Sequence, residues 1–425
     1  MIEEKRISCN GIPVYSIPNE HSHGFYISLF LKSGTMYEKD GECGITHFLE
    51  HALIRNVNSI MDGELYQMLD KCGMEFNASS YNEMVQFYIS GNSGNFKIGA
   101  EIISRLLLPL QLSGEDIEAE RNRIKAEIRE ADDKSSLAYF SSLEVWENTS
   151  LARPITGSLS DVSRIGSKKL EEYRKRVFTK ENIFFYVTGN LSDDNLSYLL
   201  EHICNASLGC GDMHDNIAPV PTNFGKRPGE IKVKNDDFTK IRYTFDVDMN
   251  RVASQELDLL YDLVLGGYSS DFFIELSEKR GLFYDLRGTV EQYKNIGVFY
   301  FSYELKASKL HEAASKTMSL LKSYTERVLD ADKCMRAGYV DNAYMLFDDS
   351  RELNFTFGYD NHVLELGYTG VEDRRNAYAS ITPERIREVA KEIFKPENLT
   401  VTLKCNKKKT DIDLLRKIIF EREWI

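Results

Sequence analysis

Two parts of the chain repeat each other, and this repetition limits the fold more than any single residue does. Val85-Gln86-Phe87-Tyr88-Ile89-Ser90 leads into Ile98-Gly99-Ala100-Glu101, and Val298-Phe299-Tyr300-Phe301-Ser302 leads in the same way into Leu310-His311-Glu312-Ala313-Ala314. Ile165 to Val187 is answered by Ile381 to Val401, with Lys180-Glu181-Asn182 set against Lys395-Pro396-Glu397-Asn398. Each copy mixes short β-patterned runs with helical ones. The chain therefore reads as α+β, built from two homologous sandwich-like units of roughly 200 residues, each a mainly antiparallel sheet with helices packed on it. Between the copies, Leu208 to Gly229 collects Gly209, Gly211, Pro219, Pro221, Gly225, Pro228 and Gly229. That composition predicts an N-terminal domain at 1–208, a linker at 209–229 and a C-terminal domain at 230–425.

In the first copy, residues 5–17 predict two strands around the Asn10-Gly11 turn, and 24–33 a third. A helix is expected from about Gly44 to Ile54 and another over 62–72, stopped by Gly73 as a C-cap. Strands at 74–79 and 84–90 follow, then helices near 95–109, 114–133 and 136–147. A helix over 167–177, a strand over 183–188 and a helix after Ser192 complete the copy.

The first copy alone carries chemistry. On a helix, His47 and His51 project from one face with Glu50 beside them, amid Phe48, Leu49, Ala52 and Leu53. Two histidines at this spacing also suit an ion-pair ladder or a partly buried pair. Here the apolar neighbours make a polar trio costly to bury without a partner, and a metal is the simplest partner. His-x-x-Glu-His is the inverted zinc-protease motif. A zinc that keeps one position for water needs a third protein ligand. Ser113, with Asp116 three residues on, opens a long charged helix. There Ile117, Ile124 and Ile128 form an apolar stripe, and Glu120 and Glu127, two turns apart, share another face. Most glutamates on such a helix are solvated surface charges. Glu50, not needed as a ligand, is the natural general base. The matching helix of the second copy reads Glu256-Leu257-Asp258-Leu259-Leu260-Tyr261-Asp262 and has no such motif.

His47-x-x-Glu50-His51 followed by Glu127 resembles the M16 peptidases, the family of pitrilysin, insulin-degrading enzyme and the mitochondrial processing peptidase. Lys32-Ser33-Gly34-Thr35-Met36-Tyr37-Glu38 and Gly73-Met74-Glu75-Phe76-Asn77-Ala78-Ser79-Ser80 resemble further segments of that family. The resemblance implies the metallohydrolase architecture shared by LuxS and the mitochondrial processing peptidase. It implies one Zn2+ per chain on His47, His51 and Glu127, with Glu120 supporting the site and Glu50 acting on the attacking water. It also implies that Asn77, Ala78 and Ser79 pair with a peptide by strand addition. The family's second domain contributes an Arg and a Tyr. Here Tyr284 is kept, but Leu276-Ser277-Glu278-Lys279-Arg280-Gly281 has Ser277 where the Arg belongs. A Ser lacks the forked cationic donor, so either Arg280 substitutes or another polypeptide supplies the group. Bacterial two-chain relatives divide the labour in this way. The resemblance thus implies an endopeptidase acting on peptides or unfolded segments, the catalytic half of a heterodimer, with leader removal from small ribosomal peptides as one role. A homodimer degrading oligopeptides and a noncatalytic scaffold subunit are the alternatives.

The charge of −13, from 53 Lys+Arg against 66 Asp+Glu, argues against a general grip on nucleic acid or anionic membrane and favours a basic peptide. The N-terminal residues have no apolar signal core, and no run approaches a membrane span, so a cytoplasmic location is expected. Seven scattered cysteines without Cys-x-x-Cys fit reduced thiols. Cys43 lies near His47, but a fourth protein ligand would close the site to water, so it reads as incidental.

Overall fold

The computed structural model describes residues 3–131, 136–210, 223–266, 268–283, 285–336, 338 and 350–421. Its contacts gather into two units, and the α+β duplication is found in both. Unit 1 holds β1 (Lys5–Cys9), β2 (Ile12–Pro18), β3 (Gly24–Leu31), β4 (Glu75–Ser80), β5 (Val85–Asn92) and β6 (Ile183–Gly189), in the order β1-β2-β6-β3-β5-β4. Unit 2 holds β7 (Ile231–Asn235), β8 (Thr239–Asp248), β9 (Asp285–Gln292), β10 (Ile296–Leu305) and β11 (Leu399–Cys405), in the order β7-β11-β8-β10-β9. Setting β1 aside, the two orders correspond strand by strand. The parallel pair falls at the same place in each, β2 with β6 and β7 with β11, and the other neighbours are antiparallel.

The helices of the first half are α1 (Ile45–Ile60), α2 (Leu65–Cys72), α3 (Phe96–Ser104), α4 (Gly114–Ala131), α5 (Leu137–Val145), α6 (Leu159–Val162), α7 (Ser167–Val177) and α8 (Asp193–Cys204). After them come α9 (Ser254–Val264), α10 (Leu310–Glu326) and α11 (Arg351–His362). In unit 1, alternate strand residues Ile27, Leu29, Phe87, Ile89, Phe185 and Val187 meet Phe48, Leu49, Ala52 and Leu53 of α1 in one buried cluster. Ile117, Ile124 and Ile128 of α4 join it, the apolar stripe expected from the spacing.

The units do not follow the linear boundaries. Asp133–Ala152 groups with unit 2 and Met345–Asp373 with unit 1, so the division at 1–208 and 230–425 is corrected by the exchange of one helix each way. The other face of each sheet carries polar groups, and these helices satisfy them. On unit 1, Asn354 of α11 donates its amide to the carbonyls of Tyr186 (2.8 Å) and Tyr26 (3.2 Å). On unit 2, the Ser141 hydroxyl of α5 bonds that of Thr402. The expected linker is only partly a spacer: residues 211–222 lie outside the described residues, but Arg227 is an anchor. Its guanidinium pairs with the fully buried Asp246 at 2.6 Å and donates to the Val145 carbonyl at 3.0 Å.

Cys9 and Cys204 form a disulfide joining β1 to the end of α8, which corrects the expectation of seven reduced thiols and removes the thiol argument for a reducing compartment. Among the described residues, no helix is long and apolar enough to cross a membrane.

Gly358 lies where α11 crosses β3, and a Cβ there would sit 2.6 Å from the buried Phe30 ring. Alanine normally gains about 1 kcal/mol over glycine inside a helix, but overpacking a closed core costs about 1–3 kcal/mol, so the clash should win. Gly358→Ala is expected to lower the urea midpoint with an unchanged slope; a raised midpoint would mean that the Phe30 ring has room to move.

Candidate metal centre

The site begins at the first turn of α1. Gly44, at φ 81°, turns the chain into the helix, and a Cβ there would lie 2.8 Å from the Thr156 carbonyl. The helix has no capping side chain at Gly44. Instead the buried Glu38 accepts the backbone N–H groups of Gly44 and Thr46, both at 2.9 Å. It thereby satisfies two orphan donors at the helix start. The Thr46 hydroxyl meets the Tyr173 phenol of α7 at 2.7 Å, fixing the rotation of α1 about its axis.

From that start His47, Glu50 and His51 fall on the side of α1 that faces α4. The expected N-cap of α4 forms, with the Asp116 N–H donating to the Ser113 hydroxyl at 3.1 Å and the Ser113 N–H to the Asp116 carboxylate at 3.0 Å. Glu127 Oε2 lies 3.8 Å from His47 Nε2 and 3.4 Å from His51 Nε2. Among the described residues, His47, His51 and Glu127 form a group whose ligand atoms all lie within 4.8 Å of one another. Tetrahedral donors at about 2.1 Å from a zinc would stand about 3.4 Å apart, so this donor set fits the ion. Burial and then the neighbouring His51 push the His47 imidazole down to about 4, which keeps it neutral, as a ligand must be. Cys43 is not part of the group, and burial pushes its thiol up to about 11.

Glu120 accepts a bond from His51 Nδ1 at 3.2 Å, on the ring edge away from Glu127. Arg55, one turn beyond His51, grips Glu120 Oε1 at 3.0 Å and Asp116 at 2.9 Å. Burial works against the Glu120 charge, but the His51 and Arg55 bonds outweigh it and hold its carboxyl below the usual range. Such a carboxylate fixes the tautomer and tilt of an imidazole. Glu50 is 8% exposed, and burial pushes its carboxyl up, opposed by a bond from the Ser80 hydroxyl.

Asn77, Ala78 and Ser79 lie on β4, the outermost strand of the sheet, next to α1. The Ala78 N–H is taken by the side-chain Oδ1 of the neighbouring Asn77 at 2.9 Å rather than by β5, so it faces the free edge. In unit 2, Ser277 lies in a π-helical turn, Phe273–Glu278, Arg280 is exposed, and Tyr284 lies outside the described residues. Glu256 of α9 caps its own helix by accepting the Ala253 N–H at 3.0 Å. Sequence reasoning assigned no role to Arg55 or Ser80, and none to Glu38 beyond its motif. Arg55 was detectable, four residues after His51 on the same helix face, and Ser80 by the strand alternation that sets it with Ala78.

Residues 14–158 match the insulinase (peptidase family M16) family, and residues 164–334 match the peptidase M16 inactive domain. This chain belongs to peptidase family M16. Among curated relatives, a zinc protease of Rickettsia bellii is 24% identical over 75% of this chain and 77% of its own length. The beta subunit of the rat mitochondrial-processing peptidase is 26% identical over 55% of this chain and 48% of its own. Among solved structures, a protease from Helicobacter pylori matches 95% of this chain and all of its own at 20% identity, with a TM-score of 0.78. The periplasmic protease PqqL of Escherichia coli matches 99% of this chain but 50% of its own length at 16% identity, with a TM-score of 0.78. These structural likenesses show that the M16 fold is shared.

Glu38, pushed up to about 7 by burial against the pull of its two N–H donors, gives a pH prediction. Its folded value lies above the unfolded one, so folding favours the neutral acid. Its contribution is complete below about pH 4.5 and is lost as the pH rises through about 7. The loss is on the order of 3 kcal/mol. Urea unfolding of wild type and Glu38→Gln at both ends of that window should show a steeper fall for wild type; equal falls would place the titration elsewhere.

Proposed function

We propose that this chain is a zinc-dependent endopeptidase and the catalytic member of a two-chain enzyme. One observation carries the reading: His47, His51 and Glu127 converge in ion-binding geometry with Glu50 beside them and Glu120 behind. A noncatalytic scaffold has no physical need to keep all five. When bound, zinc supplies polarisation of the scissile carbonyl and acidification of a water. Glu50 takes a proton from the attacking water and returns it to the leaving amine. Glu120, held by Arg55, keeps the His51 ring turned toward the ion. The free edge of β4 accepts the peptide as an added strand, with the Ala78 N–H released from Asn77. Peptides and unfolded segments are the substrates, basic ones favoured by the net charge of −13 and leader-bearing ribosomal peptides among them.

The two-chain part rests on Ser277. The relative named as a beta subunit, and PqqL with about twice this chain's length, support an enzyme that joins more than one such pair of units. A homologue retaining the Arg/Tyr pair would supply the cation that Ser277 cannot. The cytoplasmic location remains a proposal independent of the cysteines.

Three outcomes follow. Glu50→Gln should hold a full equivalent of zinc and lose peptide hydrolysis by about a hundredfold or more; substantial turnover by the metal-loaded variant would remove Glu50 from the role. Metal analysis should find Glu127→Ala depleted of zinc, while Glu120→Ala keeps most of its zinc but loses activity; the reverse pattern would exchange the two assignments. Adding a homologue that lacks His-x-x-Glu-His but keeps the Arg/Tyr pair should raise turnover strongly, whereas full activity of the pure chain, indifferent to any partner, would point to Arg280 instead.

A further inference from the structure

Ser80 ends β4, and its hydroxyl donates to Glu50 Oε2 at 2.5 Å across thirty residues of sequence. It is the hydrogen-bond donor that the described residues offer Glu50, whose buried carboxyl also feels the charges of His51 and Glu127. Strand alternation sets Ser80 on the side of β4 shared by Phe76 and Ala78, which pack against the core that includes α1. The hydroxyl therefore reaches Glu50 from the strand offered to the peptide.

We infer that Ser80 is a positioning residue that assigns the two oxygens of Glu50 separate tasks, engaging Oε2 and leaving Oε1 to handle the proton. The inference rests on the peptidase reading given above. As the water oxygen bonds to the scissile carbonyl carbon, its proton passes to Oε1. As the C–N bond breaks, that proton passes from Oε1 to the leaving nitrogen. Oε2 accepts from Ser80 throughout, as part of a carboxylate before the transfer and as the carbonyl oxygen of the neutral acid after it. The hydroxyl thus keeps one geometry through both steps and prevents the carboxyl from rotating. Since Ser80 follows Asn77, Ala78 and Ser79 on the same short strand, a peptide added at that edge also steadies the group that aligns the base.

The experiment compares steady-state hydrolysis of a quenched fluorogenic peptide by wild type, Ser80→Ala, Ser80→Thr and Glu50→Gln, each zinc-loaded and with the homologous partner chain present. Ser80→Ala should lose roughly ten- to hundredfold in kcat, the range of one hydrogen bond to a charged group. Its KM should stay within about twofold, with zinc content and melting temperature unchanged. Ser80→Thr keeps the hydroxyl and should recover most of the rate. Wild-type kcat in Ser80→Ala, or equal damage in the two variants, would overturn the Ser80 inference while leaving the peptidase reading intact. Absence of hydrolysis by wild type would overturn that reading and the inference with it, and Glu50→Gln as active as wild type would do the same.

Discussion

The site depends on how the first turn of α1 is held. Helix starts expose N–H groups that must find acceptors, and here the acceptor is the buried carboxyl group of Glu38 rather than a capping side chain in the turn itself. Glu38 fixes the height of α1, and the Thr46–Tyr173 bond fixes its rotation. With both set, the apolar side of α1 is committed to the sheet, and His47, Glu50 and His51 are left facing α4. A polar trio in so enclosed a place is tolerable only if each member has a partner. Glu120 partners one edge of His51 and Ser80 partners Glu50, while the remaining ligand atoms converge on one point with Glu127.

The supporting shell is built from pieces distant in sequence. Glu38 precedes α1, Ser80 ends β4, Tyr173 lies on α7, and Asp116 and Glu120 lie on α4. Glu120 touches His51 and Ser80 touches Glu50, while Glu38 and Tyr173 hold the first turn of α1 and Asp116 holds Arg55, so small changes far from the cluster can misplace it. Unit 2 has the same sheet without this shell. Its helix α9 uses Glu256 for capping and for Arg385, with which it pairs at 2.7 Å. The duplication therefore supplied one scaffold, and among the described residues the His47, His51 and Glu127 cluster lies in one copy.

Much of this was legible in the residues. The apolar periods of α1 and α4, the Ser113-Asp116 cap and the repeated strand patterns are local signals, and the strands and helices they predicted are present, with α1 extended from the expected Ile54 to Ile60. The match of the two sheets followed from repetition alone. What escaped were relations with no local signature. Asn354 and Ser141 satisfy sheet carbonyls and hydroxyls of the other half of the sequence, so the helix exchange could not be read from a linker. The Cys9–Cys204 pair, 195 residues apart, looked like two scattered thiols. Arg55 lay on a visible helix face, but its value depends on α4 being across from it.

The account stands on three donors sharing one ion. X-ray absorption at the zinc edge, on protein loaded with one equivalent of zinc, tests that directly. The prediction is a shell of nitrogen and oxygen at about 2.0–2.2 Å with imidazole outer scattering and no sulfur. A sulfur shell at about 2.3 Å, which Cys43 would have to provide, would make the centre a closed structural site and contradict the account.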